Sequence, residues 1–167
     1  MVHNSFSMLS LVKGVTNKIL RTVSVPVTKF DKKLLKTLEE MYVRMEDWSG
    51  IGLAAPQVGI NERFFVMKLF KGNTDEFTLV PVINPEITHI SEKMVHEEEG
   101  CLSIPSKYGI VPRHDALTVK FQNPKKEWVT LKLKGLNARI IQHETDHLNA
   151  TLIADKVTEW TREKGKK

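Results

Sequence analysis

The chain has 167 residues, 41% of them hydrophobic and 27% charged, a balance that fits one compact domain over residues 1–167 and excludes disordered and fibrous classes. No stretch approaches the ~18 consecutive apolar residues of a membrane-spanning helix. A single cysteine, Cys101, excludes an internal disulfide framework and predicts a reducing compartment. The net charge of +5 comes from scattered basic residues with a modest cluster at Lys164, Lys166 and Lys167, so it reads as a solvated surface rather than a DNA- or RNA-binding module.

In chain order, residues 1–7 are polar and patternless and are expected to form a disordered extension. The first apolar patch, Met8 to Val12, has no basic region before it and is too short for a secretory signal. Asp31 is placed to cap a helix over Lys32 to Trp48, where Leu34, Leu35, Leu38, Met41, Tyr42 and Met45 recur at helical spacing. Gly50 to Gly59 reads as a loop of small residues that lets backbone pass close to another group. Arg63 to Phe70 and Thr78 to Asn84 read as strands joined by the turn Lys71-Gly72-Asn73, with Pro81 marking an edge or a bend. Ile87 to Val95 is expected to be a further strand, followed by the acidic run Glu97-Glu98-Glu99. Leu117 to Asn123 and Trp128 to Leu133 alternate around Asn123-Pro124-Lys125-Lys126 and predict a hairpin. A helix then runs through Leu136 to Leu148, and Thr151 to Val157 is expected to add a last short strand. Short strands between one early and one late helix make the class α+β.

The late helix carries His143-Glu144-Thr145-Asp146-His147. Histidines at i and i+4 lie on one face of a helix, one turn apart, where both imidazoles can bind one metal ion. Glu144 is rotated off that pair but can reach water at the ion as a general base. The same spacing also fits two ordinary surface histidines. Two histidines leave a catalytic metal short of a third protein ligand. A metzincin would need a Gly and a further His where Ala150 and Ile153 stand. A gluzincin-type endopeptidase would need a downstream glutamate, and only Glu159 and Glu163 are available. Cys101 reads as a buried small hydrophobe, a nucleophile or a metal ligand. His3, His89, His96 and His114 lack ligand spacing and read as surface residues.

Three blocks, Gly50-Ile51-Gly52-Leu53-Ala54-Ala55-Pro56-Gln57, Glu99-Gly100-Cys101-Leu102-Ser103 and Gln142-His143-Glu144-Thr145-Asp146-His147-Leu148, together resemble the peptide deformylases, with similar spacing from about Leu9 to Val157. The resemblance implies an α+β fold with antiparallel β-sheets around a central helix carrying the histidine motif. It implies a metal-dependent hydrolase that removes the N-formyl group from the N-terminal methionine of new polypeptides and releases formate. Cys101, His143 and His147 would then hold one divalent ion, Fe²⁺ in vivo by resemblance, with Zn²⁺ or Ni²⁺ able to occupy the site. Glu144 would move the water's proton, and the side-chain amide of Gln57 and the backbone N–H of Leu102 would meet the oxyanion. Gln57 in isolation would read as an exposed loop residue.

Ile51, Gly52 and Gly100 offer backbone to an extended peptide. Ile51, Leu136 and Ile140 read equally as walls of a methionine pocket or as plain core. Glu99 is expected to pair with Arg113 and fix the cysteine loop, while Asp146 either orients a metal histidine or caps structure locally. The implied partners are nascent formyl-methionyl chains, with no DNA and no membrane. The implied setting is a bacterial cytoplasm, ahead of an organelle matrix, and the implied state a monomer. The family usually has a Gly where Ala150 stands and a Pro-rich segment where Val15-Thr16-Asn17 stand. Many bacterial members also continue into a long C-terminal helix implicated in ribosome docking. Here Thr158 to Lys167 is expected to give only a short polar tail that frays, so at most a weak ribosome association is expected.

Overall fold

A computed structural model describes residues 9–163, so the expected extension over residues 1–7 and the last lysines lie outside it. The described elements are α1 (Lys32–Asp47), β1 (Gly52–Ala54), β2 (Phe64–Phe70), β3 (Phe77–Ile90), β4 (Met94–Cys101), β5 (Ile104–His114), β6 (Ala116–Gln122), β7 (Trp128–Lys134), α2 (Gly135–Leu148) and β8 (Glu159–Glu163). One antiparallel sheet has the order β1-β2-β3-β6-β7 and a second the order β4-β5-β8. The expected α+β class, with antiparallel sheets about the motif helix, is the fold observed.

Asp31 caps α1 by accepting a hydrogen bond from the Leu34 N–H at 3.0 Å. The helix buries Leu34, Leu38, Met41 and Met45 in a cluster with Leu53, Phe64 and Val66. Each such side chain contributes roughly 1.5–3 kcal/mol when fully buried. A second cluster joins Phe65, Met67, Val119 and Phe121 of the five-stranded sheet to Ala138, Ile140, Ile141 and Leu148 of α2. Successive β2 residues enter different clusters because strand side chains alternate between faces. Helix α2 is thereby buried on most of its surface, and its polar residues Arg139, Gln142, Glu144, Thr145 and His147 are buried with it.

Several expected elements differ. Thr78 to Asn84 and Ile87 to Val95 are not two strands: β3 runs continuously to Ile90. Its first half pairs with β2 and its second with β6, and the register shifts between Ile83 and Glu86. Asn84 has φ 52° and Pro85 lacks an N–H, so the strand bends there without ending. The Asn84 side chain secures the bend, accepting from the Val27 N–H and donating to the Val27 carbonyl. Pro81 is tolerated because β6 pairing stops at Ile83.

The acidic run Glu97-Glu98-Glu99 lies inside β4, and β5 was not foreseen because Pro105, Gly109 and Pro112 interrupt its strand pattern. Thr151 to Val157 is not a strand. It contains a 3-10 turn, Ile153–Asp155, closed by the Asp155 carboxylate on the Leu152 N–H. Thr158 to Glu163 is not a fraying tail either, since Glu159–Glu163 pairs with Lys107 to Ile110 of β5.

Candidate active site

Two elements bring the chemistry together. Helix α2 presents His143 and His147 from one face, their ring centroids 5.1 Å apart. The bulged end of β4 presents Cys101, paired with Ile104 across a tight connection. Cys101 Sγ lies 3.3 Å from His147 Nε2. One ligand atom from each of Cys101, His143 and His147 falls within 4.8 Å of the other two. Glu159, the candidate for a protease-like site, is not in that group but on strand β8.

Cys101, His143 and Glu144 line a cleft of about 580 Å³ with Ile51, Leu102 and Leu136. Ile51 and Leu136 are 41% and 45% exposed, which places them on the cleft wall rather than in the core. Ile140 belongs to both, being buried against the sheet while its side lines the cleft. The close passage expected of the Gly50 to Gly59 segment occurs at Gly52, where an added Cβ would lie 2.3 Å from Glu144 Oε1. Gly100 lines the cleft on the opposite, β4 side.

Gln57 stands in a 3-10 turn, Ala55–Val58, directly after β1 and is 1% exposed, unlike the exposed loop residue that it would be in isolation. Its carbonyl oxygen accepts from the Ala54 N–H at 2.9 Å, which fixes the amide orientation and turns the NH₂ toward Cys101 Sγ, 3.8 Å away. Ser103 Oγ, 3.2 Å from that NH₂, is a second partner not anticipated from sequence.

Behind the histidines lies a buried ion network. Glu99 Oε2 meets His143 Nδ1 at 2.9 Å, and Arg113 holds both Glu99 oxygens at 2.9 Å, forming the expected pair. Arg113 also reaches Asp146, which pairs in turn with Lys156, so Asp146 touches neither histidine directly. Arg139 was missed. It donates to Glu99 at 2.7 Å, to Glu97 at 3.0 Å and to the carbonyls of Val95 and Val111 at 2.9 Å, stitching α2 to β4 and β5. Its position four residues before His143, on the ligand face of the helix, was the available signal. His114 is also not simply a surface residue, since its Nδ1 lies 2.7 Å from the Ser91 carbonyl.

The electrostatics suit a cation. Burial pushes the Glu144 carboxyl up to about 7, partly offset by His143. Burial would lift Glu99, but His143 and Arg113 outweigh it and hold Glu99 well below the ordinary carboxylate range. Burial drives His147 well below its ordinary value, with the His143 charge adding to the effect, and so favours the neutral ring that metal ligation needs. At His143 burial acts downward, yet hydrogen bonds with Cys101 and Glu99 and the Glu144 charge outweigh it and raise the ring's affinity for a proton above the ordinary value. Positive charge is therefore favoured where these donors converge. Among the described residues, Glu144 Oε2 is buried without a protein partner, as expected of a site that also takes water or ligand. One thiol sulfur and two imidazole nitrogens form a donor set for zinc or iron and leave room for non-protein ligands.

The family described as Polypeptide deformylase matches residues 10–163. A peptide deformylase of Thermotoga maritima is 47% identical over 140 residues, 84% of this chain and 82% of the relative. The crystal structure of peptide deformylase from Thermotoga maritima superposes with a TM-score of 0.84 at 44% identity, covering 92% of this chain and 99% of that one. A Met-Ala-Ser-bound peptide deformylase from Acinetobacter baumannii superposes with a TM-score of 0.80 at 33% identity, covering 90% and 98%. With that match over nearly its whole described length and a thiol set beside the paired histidines, this chain belongs to the peptide deformylase family.

Proposed function

We infer that the chain is a metal-dependent hydrolase removing the N-formyl group from the N-terminal formyl-methionine of newly made polypeptides. The observation that carries this reading is the convergence of Cys101, His143 and His147 beside the buried Glu144 and the fixed amide of Gln57. Cys101, His143 and His147 are the ligands in this reading, and Glu99 and Arg113 support His143 from behind. A divalent ion bound there would acidify water and polarise the formyl carbonyl.

This chain's residues supply the rest. Glu144, raised toward neutrality by burial, takes a proton from water and returns it to the departing amine. Gln57 offers an uncharged N–H donor already aimed into the site, and the Leu102 N–H is the second donor to the developing oxyanion. Ile51, Gly52 and Gly100 hold the peptide main chain as an added strand, leaving side chains beyond the first unread, as an enzyme serving many nascent chains requires. Ile51, Leu136 and Ile140 form the apolar wall for the methionine side chain. Met-Ala-Ser, which the Acinetobacter baumannii relative binds, has the form of the product.

Fe²⁺ is the ion proposed for the physiological enzyme, in a monomer of the bacterial cytoplasm with at most weak ribosome contact. The test is formate release from formyl-Met peptides by anaerobically purified, metal-loaded protein, with elemental analysis of the same sample. Inactivity of metal-replete protein overturns the reading. Cys101→Ala should lose both metal and activity; retained metal would overturn Cys101 as a ligand.

A further inference from the structure

Strand β8, unforeseen from sequence, lines no part of the cleft but backs three residues that do. Glu98, Tyr108 and Lys107 line the cleft, and each is engaged by β8. Thr161 Oγ1 donates to Glu98 Oε1, and Arg162 Nη2 donates to Glu98 Oε2 at 2.7 Å, so both carboxylate oxygens have partners. The Arg162 guanidinium also lies 4.3 Å from the Tyr108 ring centroid. The Thr161 hydroxyl is within 3.2 Å of the Tyr108 carbonyl, and Lys107 Nζ stands 5.7 Å over the Trp160 ring.

Tyr108 passes this support on. It is the cross-strand partner of Gly100, and an added Cβ on Gly100 would fall 2.6 Å from its ring. The ring is thus laid on the backbone just before Cys101. Gly109, next along β5, has no room for a Cβ, because Val157 and the Glu159 carbonyl would lie 2.3 and 2.8 Å away. Strand β8 is therefore seated tightly against β5. The Thr161 hydrogen bond, opposed by desolvation and joined by Arg162, holds Glu98 below the ordinary carboxylate range.

We propose that Thr161 and Arg162 are positioning residues that set Glu98, Tyr108 and the Gly100 backbone as the wall along which the residues after the formyl-methionine lie. This rests on the deformylase reading and adds a role for the C-terminal strand in substrate binding. The wall meets main chain beyond the first residue, so its disturbance should weaken longer substrates selectively and leave the chemical step alone.

The experiment compares a formyl-Met tripeptide with formyl-methionine amide, each with metal-loaded wild type, R162M, R162K and T161V. R162M should raise KM for the tripeptide by roughly three- to tenfold with kcat unchanged, the pattern of lost uniform binding. The amide should show a clearly smaller rise, and R162K, which keeps the cation at Glu98 and Tyr108, should recover most of the loss. T161V removes one hydroxyl without disturbing the ion pair, and should show the same selectivity at roughly twofold should R162M fail to fold. Equal KM changes for both substrates, or a fall in kcat alone, would overturn the inference. Inactivity of wild type on both substrates would overturn the deformylase reading itself.

Discussion

Helix α2 brings His143 and His147 together through a four-residue spacing and its own backbone, whereas the β4–β5 hairpin supplies Glu99, Cys101 and Arg113 from two strands and joins Glu99 to Arg113 by a side-chain ion pair. The helical half is ordered by local hydrogen bonds and by apolar burial of Ile140, Ile141 and Leu148 against the sheet. The hairpin half holds a carboxylate that is only 7% exposed, with two guanidiniums and an imidazole on it. Local geometry makes the first half hard to misplace. The second depends on charges that must all be present, because removing one leaves its partner buried and unpaired. Damage to the two halves should therefore look different, chemical in one and structural in the other.

The largest expected effect is chemical and lies on the helix. Glu144→Gln keeps the shape but cannot accept a proton, and kcat for formate release should fall by about 10²- to 10⁴-fold. Metal content and unfolding midpoint should stay near wild type. A comparable loss of bound metal would show instead that Glu144 belongs to the structural framework. The contrasting test is Arg139→Met at the junction of the halves. It strips Glu99 of one cation and frees the Val95 and Val111 carbonyls, so urea unfolding should show a loss of about 3 kcal/mol. Arg113→Met should cost a similar amount and also free Asp146. Should both arginine variants keep wild-type stability, the hairpin is not held by its charges.

The same contrast explains what could be read from the sequence. A histidine pair at i and i+4 is visible because helix periodicity converts spacing directly into geometry. The three short blocks were legible for a different reason, their joint resemblance to one family, and that route supplied Cys101 and Gln57. Nothing local reveals that Gln57 is buried or that its oxygen is tied to the Ala54 N–H. Strand β5 escaped because two prolines and a glycine interrupt its alternation, although its partners β4 and β8 accommodate them. The Glu99–Arg113 pair came with the resemblance, whereas Arg139, 40 residues from Glu99 in the chain, carried no such signal. Strand β8 has an exposed polar sequence, and only its seat against Gly109 makes it a strand. Tertiary charge pairing and edge pairing are long-range effects that a local pattern does not carry.

Smaller effects sharpen the helical side at its C-terminal end. Asn149 stays at φ −101° while Ala150 takes φ 60°, so the left-handed position falls on the alanine and not on the residue better suited to it. Ala150→Gly should remove that strain and stabilise the protein by about 1 kcal/mol, read as a raised urea midpoint with unchanged activity. No gain would mean that the lower entropy of alanine in the unfolded chain cancels the strain.

Five residues on, the Asp155 carboxylate accepts from Leu152 and pairs with Arg21, joining the chain after the helix to the N-terminal segment. The hydrogen bond from Arg21, opposed by desolvation, holds Asp155 below its ordinary range. The folded protein thus binds this proton less readily than the unfolded chain. The stabilisation is complete above the ordinary aspartate value of about 4 and is lost as pH falls below it toward the lower folded value. Both partners are a third or more exposed, so screening keeps the pair below about 1 kcal/mol. Asp155→Asn should therefore melt slightly below wild type at neutral pH, and the gap should close as the pH is lowered through that window. A gap that persists in acid would assign the stabilisation to the Leu152 hydrogen bond or to packing rather than to the ion pair.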